Sequence, residues 1–301
     1  RPTFVDGAVR SALAQHYDAI EVCIVDDGSS PPLRLADDLL ADHRVQVHRV
    51  HPSVGAAAAR NLAVAHSHGE LIAFLDDDDE WLPDKTVRQV QLLMASPSRV
   101  AGVQCGWELW QDDGLVFTFV PDPDRDLRLV LLEHATMAPS SVMLRRSAFD
   151  AAGGFDPDLL RMEDWDLWLR VADRFEVALM PDVLVRRSGH PGRLVAALEL
   201  PYREVVIERL RPRLEALPAD DRRRLELHHG LDIARHQARA KQRGRALLTF
   251  LRLWRRAPGT KAIYKGVFVT FVVETRLWRI GRSVRRRFWP QPPYPPHVRS
   301  W

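Results

Sequence analysis

The chain has 301 residues, 46% hydrophobic and 28% charged, with a net charge of +3, a composition that excludes an intrinsically disordered or fibrous protein. Its two cysteines, Cys23 and Cys105, sit in apolar runs and exclude a disulfide framework; they read as small core residues of a reducing compartment. No run of about 18 apolar residues marks a membrane span.

In chain order, no strand precedes the first helical pattern, and one is expected upstream of Arg1. Residues 7–16 read as a helix with Asp6 as N-cap and Val9 and Leu13 on one face. Residues 20–25 read as a buried strand running into Asp26-Asp27-Gly28-Ser29-Ser30, a turn with glycine available for positive φ. A helix over 33–40 and a strand over 45–50 follow. Gly55 then opens an alanine-rich helix over 56–65 that carries Arg60 and Asn61.

The apolar run 71–75 ends abruptly in Asp76-Asp77-Asp78-Asp79-Glu80, five consecutive acids. A short apolar run bounded by polar residues reads as a buried strand. Its acids would emerge at the strand's C-terminal edge, where open α/β sheets bind ligands. Clustered carboxylates repel unless a cation neutralises them, and Mg²⁺ or Mn²⁺ does so through oxygen ligands. A solvated acidic loop or helix N-terminus is the competing reading of the run taken alone.

Pro83 suits the first turn of the next helix, with Val87, Val90 and Met94 on its stripe. Strands alternating with helices to this point predict a parallel, doubly wound sheet. The pattern then changes. Residues 100–110 and 115–120 read as a hairpin around Asp112-Asp113-Gly114, with Trp107 and Trp110 on its first strand. Residues 140–144 read as a strand, Gly153-Gly154-Phe155-Asp156 as a turn, 163–172 as a helix and 183–187 as a last strand.

Beyond about residue 200, helical patterns cover 202–217, 222–242, 245–256 and 259–287, and a proline-rich tail begins at Pro290. Residues 241–301 hold 15 basic residues and one acid, Glu274, so the body is acidic and the tail basic. Phe268, Phe271, Val272 and Trp278, followed by Arg279, Arg282, Arg285, Arg286 and Arg287, have the pattern of an interfacial helix for an anionic membrane surface. A packed helix with a solvated basic face fits the same residues. No nucleic-acid recognition module accompanies the basic charge, so no nucleic-acid partner is expected. His228 and His229, adjacent on a helix, do not share a face and read as surface residues.

Several patterns stand together in one order. They are Ile24-Val25-Asp26-Asp27-Gly28-Ser29; Gly55 with Ala59-Arg60-Asn61; Phe74-Leu75-Asp76-Asp77-Asp78-Asp79; Gly153-Gly154-Phe155-Asp156; and 163–170, Glu-Asp-Trp-Asp-Leu-Trp-Leu-Arg. This order resembles glycosyltransferase family 2, the GT-A fold inverting enzymes that use nucleotide sugars, over roughly residues 1–195. The family begins with a strand ending in Pro-x-Tyr-Asn that is missing here, so the resemblance implies an N-terminal truncation.

The resemblance implies an α/β GT-A fold, Rossmann-like, with a mostly parallel sheet covered by helices on both faces. Residues 1–195 would form this catalytic domain, 196–289 a helical basic region and 290–301 a disordered tail. It implies that Asp26, Asp27 and Gly28 bind the nucleoside with Arg60 close by. Asp76 to Asp78 match the family's Asp-x-Asp: Asp76 and Asp77 would contact the donor, and Asp78 would hold Mn²⁺ or Mg²⁺, with His190 as a further ligand. Asp79 would be a supporting or capping residue. Asp164 matches the catalytic base, ionised at neutral pH because a helix N-terminus favours an anion. Glu163 and Asp166 would pair with each other and orient their helix.

The implied function is metal-dependent sugar transfer, with inversion, from a nucleotide diphosphosugar, a UDP-sugar above all. The acceptor would be a saccharide or lipid-linked hydroxyl in cell-surface polysaccharide or glycolipid synthesis. The location would be cytoplasmic or peripheral on the cytoplasmic membrane face. A nucleotidyltransferase and a non-catalytic nucleotide-sugar binder are the alternatives.

Overall fold

The computed structural model of the chain describes residues 2–111, 114–189 and 196–258. It divides into two compact units. Among the described residues, 2–131 and 135–189 form one; 132–134 and 196–258 form the other. The expected boundary after residue 195 falls outside the described residues, as does the tail from 259 on.

The first unit begins with helix α1, Pro2–Leu13, then strand β1, Val22–Asp27, the short helix α2, Asp37–Leu40, and strand β2, Val45–Val50. Helix α3, Ala56–His66, leads to β3, Leu71–Ala73, and β4, Glu80–Trp81. Helix α4, Lys85–Ala95, precedes the long strand β5, Val100–Gln111, and β6, Gly114–Phe119. Then come α5, Leu127–Glu133, a 3-10 turn at Pro139–Ser141, β7, Val142–Arg145, α6, Arg146–Ala152, α7, Glu163–Ala172, and β8, Glu176–Ser188.

The sheet is less parallel than the alternation of elements predicts. β1 and β2 pair in parallel as a two-stranded sheet. The six-stranded sheet runs β3-β7-β5-β8-β4 with β6 on β5. Only β5–β8 is parallel there; β3–β7, β4–β8, β5–β6 and β5–β7 are antiparallel. β7 runs antiparallel to both its neighbours, β3 and β5, and β4 runs antiparallel to β8, so these strands reverse the direction of the sheet. Among the described residues β1 pairs only with β2 and β3 only with β7, so each keeps an edge without a strand partner. Residues of both strands line one cavity of about 1580 Å³.

Several local expectations shift for identifiable reasons. α1 starts at Pro2, a residue suited to a first helical turn. Asp6 therefore lies within the helix, where it accepts the Ala36 N–H at 3.3 Å. α2 begins only at Asp37, because the Leu33 N–H is tied to Asp26 at 3.0 Å. β3 stops at Ala73, and Phe74 turns into the core against Phe155, ring centroids 5.0 Å apart. On α4 the buried face is Lys85, Thr86, Gln89 and Leu93, while Met94 is 70% exposed. Lys85 hides its ammonium by donating to Gln89 Oε1 at 2.8 Å and lying 4.0 Å from the Trp81 ring centroid. Burial lowers its pKa to about 8. The unit's core gathers Leu93 of α4 with Val103, Cys105, Met143 and Val185 on the central strands.

The second unit contains α8, Ala196–Glu215, α9, Ala219–Arg239, and α10, Arg243–Arg256. Leu231, Ala234, Phe250 and Leu253 form its core. Gly230 lets α9 and α10 approach, since a Cβ there would meet Leu253 Cδ2 at 2.5 Å. No helix among the described residues is long and apolar enough to cross a membrane.

Candidate active site

The first acidic turn follows β1. Asp26 is buried, and its carboxylate accepts the Ser29 N–H at 2.9 Å, the Leu33 N–H at 3.0 Å and Arg49 Nη1 at 2.5 Å. Burial works against its charge, but the hydrogen bonds from Ser29 and Leu33 and the Arg49 charge take its pKa below the usual value. Asp27 accepts from the Ser53 hydroxyl at 2.8 Å, the Val54 N–H at 2.6 Å and the Gly55 N–H at 2.9 Å. It thereby fixes the entrance to α3, whose N-cap is Gly55. Gly28 has φ +77°, and a Cβ there would stand 3.0 Å from the Ser53 nitrogen, so the turn needs glycine. Both carboxylates of this turn are thus engaged by protein donors.

The second acidic turn, Asp76 to Asp79, closes with the Asp79 N–H donating to Asp76 O at 3.1 Å. Its acids divide. Asp77 is exposed, Asp76 is half-buried, and Asp78 and Asp79 are buried. Asp79 accepts the Ser140 hydroxyl at 2.7 Å and Arg187 Nε at 3.2 Å on one oxygen, and the Ser188 N–H at 3.2 Å on the other. The Ser140 hydroxyl also accepts the Asp76 N–H at 3.1 Å. Asp79 is thereby a staple between the acidic turn, the 3-10 turn before β7 and the end of β8.

One carboxylate oxygen from each of Asp76, Asp78 and Asp79 lies within 4.8 Å of the others. An all-oxygen donor set of this kind fits Mg²⁺ or Mn²⁺. Asp79 is the least suited of the three to hold an ion, because both its oxygens already serve the staple.

Two neighbouring residues of α3 wire the separate patterns together. Arg60 donates from Nη2 to Asp76 Oδ1 at 2.8 Å and from Nη1 to Glu163 Oε1 at 2.7 Å. Burial disfavours its charge, yet the two carboxylates more than offset this and raise its pKa. Its guanidinium also sits 5.4 Å from the Phe155 ring centroid. Asn61 clamps the glycine turn, donating to Phe155 O at 2.8 Å and accepting the Phe155 N–H at 2.9 Å. Gly154, at φ +68°, is required there: a Cβ would lie 2.8 Å from Asn61 Oδ1.

The acids of α7 point to different partners. Glu163 belongs to Arg60, and Asp166 is buried and bound to Arg170 Nε at 2.9 Å. The expected Glu163–Asp166 pairing is therefore replaced by two separate ion pairs, because each acid has an arginine closer to hand. Asp164 is half-buried and accepts the N–H of Trp165 at 2.7 Å. Burial, reinforced by the adjacent Glu163, pushes its pKa up to about 6. The helix N-terminus was expected to hold it low; desolvation outweighs that effect, although the ionised form still predominates at pH 7. The tryptophan face behind it is core: Trp165 donates to Leu131 O at 2.7 Å and Trp168 to Met137 O at 2.8 Å.

Arg60, Asp76 and Glu163 are thus in direct contact, and Asp164 feels the charges of all three. Asp26, Asp27, Arg60, Asp76 and Asp77 line the cavity between β1 and β3; Asp78 and Asp164 do not. His190 lies outside the described residues. Trp107 is occupied by stacking on Phe119, centroids 5.4 Å apart, with Arg187 at 4.9 Å from its own centroid. The sequence reading missed Ser140 and Arg187, which carry no local signal. It named Asn61 and Glu163 without finding their partners.

The chain is similar to known glycosyltransferases. The chain resembles WfgD of Escherichia coli, a UDP-Glc:alpha-D-GlcNAc-diphosphoundecaprenol beta-1,3-glucosyltransferase, with 28% identity over 167 residues, 56% of this chain and 64% of that protein. It also resembles TuaG of Bacillus subtilis, a putative teichuronic acid biosynthesis glycosyltransferase, with 29% identity over 173 residues, 55% of this chain and 66% of that one. The chain therefore spans less than two thirds of the length of either relative. Its fold is that of GT-A glycosyltransferases: the mannosyltransferase PcManGT from Pyrobaculum calidifontis, solved with GDP-Man and Mn²⁺, superposes with a TM-score of 0.54 at 17% identity, over 93% of this chain and 79% of that one. The family model for glycosyl transferase family 2 matches residues 1–153, and the chain belongs to that family.

Proposed function

We propose that this chain is a metal-dependent inverting glycosyltransferase that moves a sugar from a nucleotide diphosphosugar, preferentially a UDP-sugar, to an acceptor hydroxyl. The observation that carries this reading is the link made by Arg60, which joins Asp76 of the acidic turn to Glu163 and so brings Asp164 beside the donor-side acids. An inverting displacement needs a base on the acceptor side that is not engaged with the donor. Asp164 suits that role: its raised pKa strengthens it as a proton acceptor while leaving it largely ionised at neutral pH.

Asp78 and Asp76 would hold Mg²⁺ or Mn²⁺, with His190 as a further candidate ligand. The ion would supply positive charge against the diphosphate. Asp77, exposed at the cavity rim, would meet the ribose or sugar. Asp26, Asp27 and Gly28 shape the nucleoside end by holding backbone, and Arg60 holds the acids in register. In this reading residues 1–195 are the catalytic domain.

The names of the WfgD and TuaG relatives support a lipid-linked or cell-wall saccharide acceptor. Peripheral attachment at the cytoplasmic membrane face, through the basic apolar stretch 268–287, belongs to the same reading.

The test compares transfer rate with UDP affinity in Asp164→Asn and Glu163→Gln. Asp164→Asn keeps the shape and removes the basicity, so transfer falls about 10²–10⁴-fold while UDP affinity stays. Glu163→Gln weakens one arm of Arg60 and is milder. Near wild-type transfer by Asp164→Asn, with Glu163→Gln inactive, would reassign the base; full activity of both would sink the mechanism.

A further inference from the structure

We propose that the second unit carries a separate binding site for a borderline divalent cation of the Zn²⁺ class, formed by Glu133, His134 and His228. One ligand atom from each of these residues lies within 4.8 Å of the others. The imidazoles of His134 and His228 meet edge to face, with ring centroids 4.6 Å apart. His134 Nε2 lies 3.9 Å from Glu133 Oε1. Two imidazole nitrogens and one carboxylate oxygen form a donor set that suits Zn²⁺ better than Mg²⁺ or Ca²⁺, and three protein ligands leave a fourth position for water. Tetrahedral bonds of about 2.0–2.1 Å bring ligand atoms to roughly 3.3 Å apart, so side-chain rotation alone must close the remaining gap.

The surroundings favour this. His228 is half-buried and its ring lies against that of His134. The adjacent His229 is buried and its Nε2 lies 2.7 Å from Leu132 O. The carbonyl can only accept, so the His229 ring N–H donates to it. This bond pins residues 132–134 against α9 and holds Glu133 and His134 beside His228. Arg224, four residues before His228 on α9, donates to Glu133 Oε1 at 3.2 Å and fixes the carboxylate. Asp232, four residues after His228, already belongs to Arg203 at 2.6 Å and is not counted as a ligand. The ion would act as a clip between the 132–134 segment and α9, remote in role from sugar transfer.

The experiment titrates the metal-stripped chain with Co²⁺ and Zn²⁺ in an Asp78→Ala background, which removes the acidic turn as a competing site. One equivalent of Co²⁺ should bind with the visible spectrum of a four-coordinate nitrogen–oxygen site, and Zn²⁺ should displace it. His134→Gln and His228→Gln should each weaken Co²⁺ binding by about 100-fold or more, beyond the 10–100-fold of a supporting residue. Zn²⁺ should raise the melting temperature of the parent and not of the two histidine variants. Absence of Co²⁺ binding in the parent, or binding retained in both histidine variants, overturns the proposal. If a histidine variant fails to fold, Glu133→Gln decides: it keeps the volume, and undiminished Co²⁺ binding in it overturns the proposal equally.

Discussion

The chain carries two acidic turns, one after β1 and one after β3, which look alike in sequence and differ in what their carboxylates do. In the first, Asp26 and Asp27 each accept three hydrogen bonds from protein donors, most of them backbone N–H groups. In the second, Asp79 accepts from two side chains and one backbone N–H. Asp76 shares Arg60 with Glu163, and Asp77 faces solvent. Acids at the ends of strands therefore fall into two kinds. Some hold a loop through its backbone N–H groups, and others tie distant segments together through an arginine. The difference lies in the donors that distant segments bring, not in the acids.

The strongest way to sharpen this comparison is Asp78→Ala. It should lower Mn²⁺-dependent UDP affinity by about 100-fold or more, by calorimetry. Unchanged affinity would mean that the second turn is a holding turn like the first.

Next in size is pH. Asp164 must be ionised to accept a proton, and its pKa is raised to about 6. Transfer should level off above that pH and fall about tenfold per unit below it. The stability effect has the opposite sign. The folded state holds this proton more tightly than the unfolded chain, so Asp164's contribution to stability falls as pH rises through about 6. Asp164→Asn should therefore not lower the urea midpoint at pH 7. A flat rate profile between pH 5 and about pH 7 would count against Asp164 as the base.

Asp26→Ala tests the first turn directly. It strands the Ser29 and Leu33 N–H groups and the Arg49 guanidinium, at a cost of about 1–3 kcal/mol in urea unfolding. If stability held while UDP binding vanished, the two turns would be of one kind after all. The smallest effect belongs to Asp77→Asn, an exposed change expected within about 0.5 kcal/mol in stability, with any consequence confined to nucleotide affinity.

Much of the fold was legible locally. The helix at Glu163–Ala172, the strand at Val45–Val50 and the β5–β6 hairpin follow directly from periodicity and turn residues. So do the placement of both acidic turns at strand ends and the helical character of the second unit. The family itself was readable from the order of its patterns, now matched over residues 1–153.

What the sequence could determine by itself was the identity and local setting of each element, because hydrophobic period and turn chemistry act over a few neighbouring residues. Tertiary structure alone decided the partners. Asp79 found Ser140 and Arg187, 61 and 108 positions away. Glu163 found Arg60 rather than Asp166, and His229 found Leu132 instead of solvent. The buried face of α4 went to Lys85 and Gln89 because Trp81 and the carbonyls of Val103 and Ser141 offered them partners that no helical period encodes. Whether a polar group is spent or left for a ligand depends on donors and desolvation set by distant segments. That is why the acids could be named from the sequence, while their division of labour could not.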